Sequence, residues 1–146
     1  VVRLIFILKR MIDFFFEELD AFELNQSNVE AWLNSSIKEE NKVLGEVTII
    51  FCSDDYLLEM NKTHLNHDYF TDIITFDYCE DNVVSGDLFI SVDRVKDNAV
   101  TNKVVWQNEL NRVMIHGVLH LCGYKDKTEK EASLMREKEN YYLKLI

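Results

Sequence analysis

The most chemically suggestive stretch of this 146-residue chain is His116-Gly117-Val118-Leu119-His120-Leu121-Cys122-Gly123-Tyr124-Lys125-Asp126. Two histidines four apart on a helix are separated by about 400° of rotation, so their rings leave nearly one face, one turn apart. That spacing lets two imidazole nitrogens meet one ion at about 2.0–2.1 Å. Gly123 can adopt φ > 0 and turn the chain back on itself. Asp126 then returns to the open side of the pair with a carboxylate oxygen. Three protein donors leave one tetrahedral position open, the arrangement of a catalytic rather than a structural zinc site. One zinc ion per chain, held by His116, His120 and Asp126, is therefore expected, although two histidines and a carboxylate also suit iron or nickel. Two core histidines, with Gly123 a simple cap, are the plainer alternative. The glycine and the carboxylate at fixed offsets favour the metal.

The same spacing matches the zinc-peptidase pattern H-E-x-x-H-x-x-G-x-x-H, with two departures. Gly117 stands where a peptidase has its catalytic glutamate, and Asp126 where it has a third histidine. Losing the glutamate removes the base that activates water for peptide hydrolysis, so peptidase activity ranks low. No general base is assigned: Glu109 and Asp72 are not fixed by sequence, and Asp72 equally suits a turn.

The elements that must position these residues are read from periodicity and punctuation. Met11–Phe16 is apolar and aromatic, compatible with a first strand. Ser27 or Asn28 caps a helix to about Asn41, with Val29, Trp32, Leu33 and Ile37 at helical spacing. Gly45 breaks it, and Val47–Cys52 reads as a buried strand. Ser53-Asp54-Asp55 opens a short helix through Leu57, Leu58 and Met60. Asn61–Thr71 lacks periodicity and reads as a loop. Ile73–Tyr78 and Asp87–Val92 are strand-like, close enough in sequence to pair antiparallel across Cys79–Gly86. Asp93–Ala99 is helical, and Val104–Leu121 is a long, largely buried helix that Gly123 ends. Thr128 and Glu131 form a capping box for a last helix to about Leu145. Its Glu129, Glu131, Glu137 and Glu139 read as a solvated face. The fold class is α+β: a small mixed sheet of about four strands with packed helices and a zincin-like metal cleft.

Composition bounds the function. Sixteen Lys and Arg against 26 Asp and Glu give a net charge of −10, which excludes a generally basic nucleic-acid binder but not a local basic groove. Three cysteines without a C-x-x-C pair argue against a disulfide framework and fit a reducing cytoplasm. Residues 1–10 hold too few apolar residues for a membrane helix and lack a signal-peptide layout. They read as an upstream or cloning-derived extension of a single domain over residues 11–146, with Met11 as the natural start.

Four segments carry a family resemblance: Met60-Asn61-Lys62-Thr63-His64-Leu65, Thr71-Asp72-Ile73-Ile74-Thr75-Phe76, Gly86-Asp87-Leu88-Phe89-Ile90-Ser91, and the metal stretch itself, H-G-x-L-H-x-x-G-Y. From about Met11 onward the chain resembles the YbeY family, bacterial endoribonucleases of ribosomal RNA maturation. The resemblance implies a single-strand-specific, metal-dependent ribonuclease acting on ribosomal RNA precursors, with the small ribosomal subunit or its proteins as partners. The alternative is a non-catalytic ribosome-assembly factor with a structural metal. Asp126 replaces the family's usual third histidine, and Leu65 stands where its pattern has an arginine. His64, His67, Lys62 and Lys125 are the substrate-binding candidates that could supply the missing cation. His64 and His67, beside Tyr69 and Phe70, also suit phosphate contact and base stacking.

Overall fold

A computed structural model describes residues 11–146, and the reading of residues 1–10 lies outside them. Four strands and five helices follow in the order β1 (Met11–Glu17), α1 (Gln26–Glu39), β2 (Val43–Cys52), α2 (Asp54–Leu65), β3 (Ile73–Asp77), β4 (Val83–Ser91), α3 (Val92–Asn102), α4 (Trp106–Leu121) and α5 (Glu129–Leu143). The sheet order is β1-β2-β4-β3. Strands β1 and β2 are parallel, as are β2 and β4, and β3 runs antiparallel to β4. The mixed sheet with packed helices is the α+β class the sequence implies.

Alternation along the strands divides the apolar residues between two faces. Val47, Ile49 and Phe51 of β2 join Leu88 and Ile90 of β4 in the larger core, under Leu33 and Ile37 of α1 and Leu110, Met114 and Val118 of α4. On the other face Cys52 and Ile74 pack with Leu57 of α2. The core helix α4 therefore lies across the sheet with its histidine-bearing end near β3 and β4. Helix α5 closes over α1 and α4, and the Trp32 indole donates to the Tyr142 carbonyl at 2.9 Å.

Three local expectations are corrected. Asn25, not Ser27 or Asn28, caps α1, accepting from the Asn28 amide. Gly45 lies inside β2 rather than ending a helix. A Cβ there would come within 2.3 Å of the Ser85 Oγ, and the β2–β4 register shifts between Leu44 and Val47, so the glycine marks an irregular close approach of strands. Residues 61–65 belong to α2, which Ser53 caps at the start and Asn66, at φ 56°, ends in the left-handed region. The capping box of Thr128 and Glu131 forms as read. All three cysteines are free, and burial pushes the Cys52 and Cys122 thiols up to about 12.

Candidate metal centre

The end of α4 explains how three donors converge. Gly123, at φ 109°, follows the helix; its amide bonds the His120 carbonyl at 3.0 Å and the Tyr124 amide bonds the Leu119 carbonyl at 3.0 Å. These two bonds are a Schellman turn, which satisfies the last helical carbonyls and reverses the chain. The reversal carries Asp126 back over the helix. Its Oδ2 lies 3.3 Å from the Nε2 of His116 and 3.3 Å from the Nε2 of His120. The two rings stand nearly perpendicular with centroids 4.6 Å apart, and the three donor atoms all lie within 4.8 Å of one another.

The opposite ring nitrogens are already engaged. The His120 Nδ1 donates to the Tyr124 carbonyl at 2.9 Å, and the His116 Nδ1 donates to Glu139 at 2.7 Å. A carbonyl only accepts, so the His120 proton sits on Nδ1 and leaves the Nε2 lone pair facing the cleft. Two such lone pairs and a carboxylate oxygen around one point call for a cation between them. The donor set therefore fits a divalent ion, and both histidines carry the hydrogen-bonded partners that metal-ligating histidines use.

Glu139 is the residue that sequence reading misplaced. It is buried, only 4% exposed, rather than on a solvated face. Arg112 donates to its carboxylate at 2.9 Å and Arg136 approaches it at 3.4 Å. Burial raises the Glu139 carboxyl, but the His116 and Arg112 hydrogen bonds outweigh it and hold it below the usual range. In turn, burial lowers His116, and Glu139 outweighs that effect and holds its imidazole above the ordinary value. A field that favours a proton on His116 also favours a cation. A signal was present in the sequence: Met135, Glu139 and Tyr142 share the buried stripe of α5 at i, i+4 and i+7.

Gly117 owes its identity to packing. A Cβ there would stand 2.8 Å from Ile73 Cδ1 and 2.9 Å from Leu88 Cδ1, so a larger residue at this position must displace those side-chain ends. Asp72 lines both the main cleft and a smaller cavity of about 130 Å³ behind His116. Burial raises its carboxyl above the usual range, against the lowering effect of His116. Its backbone carbonyl also accepts from the Ser91 amide at 2.9 Å, which anchors the start of β3.

The donors open into a cleft of about 610 Å³. Of the four substrate-binding candidates, His67 and Lys125 line it. His64 lies edge-on to Phe76 and borders a separate groove, and Lys62 pairs with Glu59 at 3.7 Å and Asp68 at 3.5 Å. Leu65 lines the cleft and is 40% exposed. Glu109 is buried and borders only the smaller cavity among those described.

Comparison with known proteins bears on the whole domain. The family model described as endoribonuclease YbeY matches residues 15–146. An endoribonuclease YbeY of Cytophaga hutchinsonii is 52% identical over 134 residues, covering 90% of this chain and 94% of that protein. One of Flavobacterium psychrophilum is 50% identical, covering 93% of this chain and 96% of its own length. A solution structure of a Thermotoga maritima protein superimposes with a TM-score of 0.64 at 30% identity, over 92% of this chain and 87% of that one.

Proposed function

This chain belongs to the endoribonuclease YbeY family, and we propose that its cleft cuts single-stranded ribosomal RNA precursors with a metal held by His116, His120 and Asp126. It is an endoribonuclease of ribosomal RNA maturation, as its relatives' names and their identity over most of the chain support. The observation that carries the site assignment is the convergence of two Nε2 atoms on one Asp126 oxygen, with both Nδ1 atoms bonded elsewhere. Zinc suits two nitrogen donors and one carboxylate. When bound, such an ion supplies Lewis acidity toward the phosphodiester and activates water.

The chain's own residues do the rest. Glu139 and the Tyr124 carbonyl fix the two imidazoles, so little donor reorganisation accompanies binding. Asp72, in the cleft wall with a carboxyl that burial raises, is our candidate to take a proton at its carboxylate oxygen. Lys125, next to Asp126 in the cleft lining, is the cation for a phosphate. No helix among the described residues is long and apolar enough to cross a membrane. Action on pre-ribosomal particles in the cytoplasm, with the small subunit presenting the RNA, completes the reading.

The test combines metal content with cleavage of a single-stranded ribosomal RNA fragment. Wild type is compared with His116→Ala, His120→Ala and Asp126→Ala. We expect about one metal per wild-type chain, with metal and cleavage lost together while circular dichroism stays unchanged. Wild type that binds metal and cuts nothing overturns the nuclease assignment in favour of a ribosome-assembly factor.

A further inference from the structure

The wall facing the metal donors is built differently from a phosphate-binding surface. It comes from the end of α2 and the segment leading to β3, and presents Leu65, His67 and Tyr69 to the cleft. Tyr69 is 55% exposed, so its ring contributes little to the core. The ring is nonetheless fixed. It stacks on His67 with centroids 5.1 Å apart and planes 22° from parallel, and the Tyr69 hydroxyl bonds the His67 Nδ1 at 3.0 Å. The backbone beneath is tied to a buried side chain: Asn61, 1% exposed, donates its Nδ2 to the Tyr69 carbonyl at 2.9 Å. The Asn61 carbonyl accepts from the His67 amide at 3.1 Å.

Charge argues the same way. Among the described residues lining the cleft, Lys125 is the single Lys or Arg, while Asp72, Asp77 and Asp126 also line it. The Leu65 wall offers no Lys or Arg to a phosphate, but it does offer a flat, preoriented aromatic face. A nucleobase has the complementary π-face, and it becomes available only where the strand is not paired.

We propose that Tyr69, backed by His67, is the stacking platform for the nucleobase next to the phosphodiester that faces His116, His120 and Asp126. This rests on the endoribonuclease reading and adds a subsite to it. The platform selects unpaired RNA by the base it stacks, and Lys125 takes the adjoining phosphate.

The experiment uses fluorescence anisotropy with labelled oligothymidylate, which lacks the 2′-hydroxyls of RNA, against an abasic oligomer of equal length. Proteins are wild type, Tyr69→Ala and Tyr69→Phe. Kinetics on single-stranded RNA are measured in parallel. We expect Tyr69→Ala to bind oligothymidylate about 5- to 100-fold more weakly and the abasic oligomer unchanged. Tyr69→Phe should stay within about twofold of wild type, and the Tyr69→Ala kinetic defect should fall mainly on KM. Equal weakening toward both oligomers, unchanged oligothymidylate binding, or wild type that does not distinguish the two overturns the platform. A wild type that prefers oligothymidylate through Tyr69 yet cuts no RNA keeps the platform and sinks the nuclease reading. One that cuts RNA without that preference does the reverse.

Discussion

Each proposed metal donor depends on a neighbour that holds its ring or its chain, and Glu139 is the most consequential of these. It receives the His116 Nδ1 proton at 2.7 Å while two arginines neutralise it. Glu139→Gln keeps the volume and removes the charge, so zinc affinity should fall about 10- to 100-fold in a chelator-competition titration. Unchanged affinity would show that the pair is structural only. The convergence of the histidines and Asp126 was legible because its geometry is local: a helical turn, a glycine and a reversal within eleven consecutive residues. Glu139 was not, because its partner lies on a different helix and the glutamates around it on α5 face water. The stripe shared with Met135 and Tyr142 was the available clue. Gly117 was read as a departure from the peptidase pattern, and what it packs against depends on how near Leu88 lies, which no sequence pattern states.

Elements are held in register by polar clusters as well as by the core. Glu40, at the end of α1, accepts from the Tyr124 hydroxyl at 2.5 Å and from the Tyr142 hydroxyl, and Lys138 lies 3.3 Å away. One carboxylate thus joins α1, α5 and the turn beyond α4 that leads to Asp126. Burial raises the Glu40 carboxyl, but the bonds from Tyr124, Tyr142 and Lys138 outweigh it and hold it below its ordinary 4.5. A lowered folded value stabilises the protein above the unfolded value, and the contribution disappears as pH falls through the folded one. Urea unfolding should therefore find Glu40→Gln less stable than wild type at pH 7, by about 1.5–3 kcal/mol, with the gap narrowing below about pH 4. A gap that is constant with pH would refute the linkage. Strands β1 and β3 and the helices with clear apolar stripes were legible at this scale, whereas β4 starts at Val83, inside what read as the Cys79–Gly86 connection, and β2 starts at Val43 rather than Val47. The last turn of α2 was not, since only Leu57 and Asn61 of that helix are buried and its ends are set by Ser53 and Asn66. Gly45 resembled a helix breaker because a strand that needs a glycine is defined by the neighbouring strand.

The whole molecule carries a net charge of −10, so a long phosphate backbone cannot lie across it without repulsion. If recognition is confined to the cleft as proposed, with Lys125 and a metal ion as its positive groups, few counterions are displaced. The logarithm of RNA affinity against the logarithm of salt concentration should have a slope shallower than about −1.5, taking about 0.7 per phosphate neutralised on a single strand. A slope of about −4 or steeper would place the RNA on a basic surface outside the cleft. Composition excluded the broad basic binder but said nothing of where the remaining cations stand, which only the fold decides. The position of Glu139 has a last consequence, for a chain made from its N-terminus. The ribosome adds residues 116, 120 and 126 before residue 139, so every donor emerges before the carboxylate that orients the first of them. A nascent chain halted at Lys127 holds the complete donor set with His116 still unanchored. Docking of α5 is therefore the last folding step that the site needs, because only then does His116 gain the carboxylate that orients it.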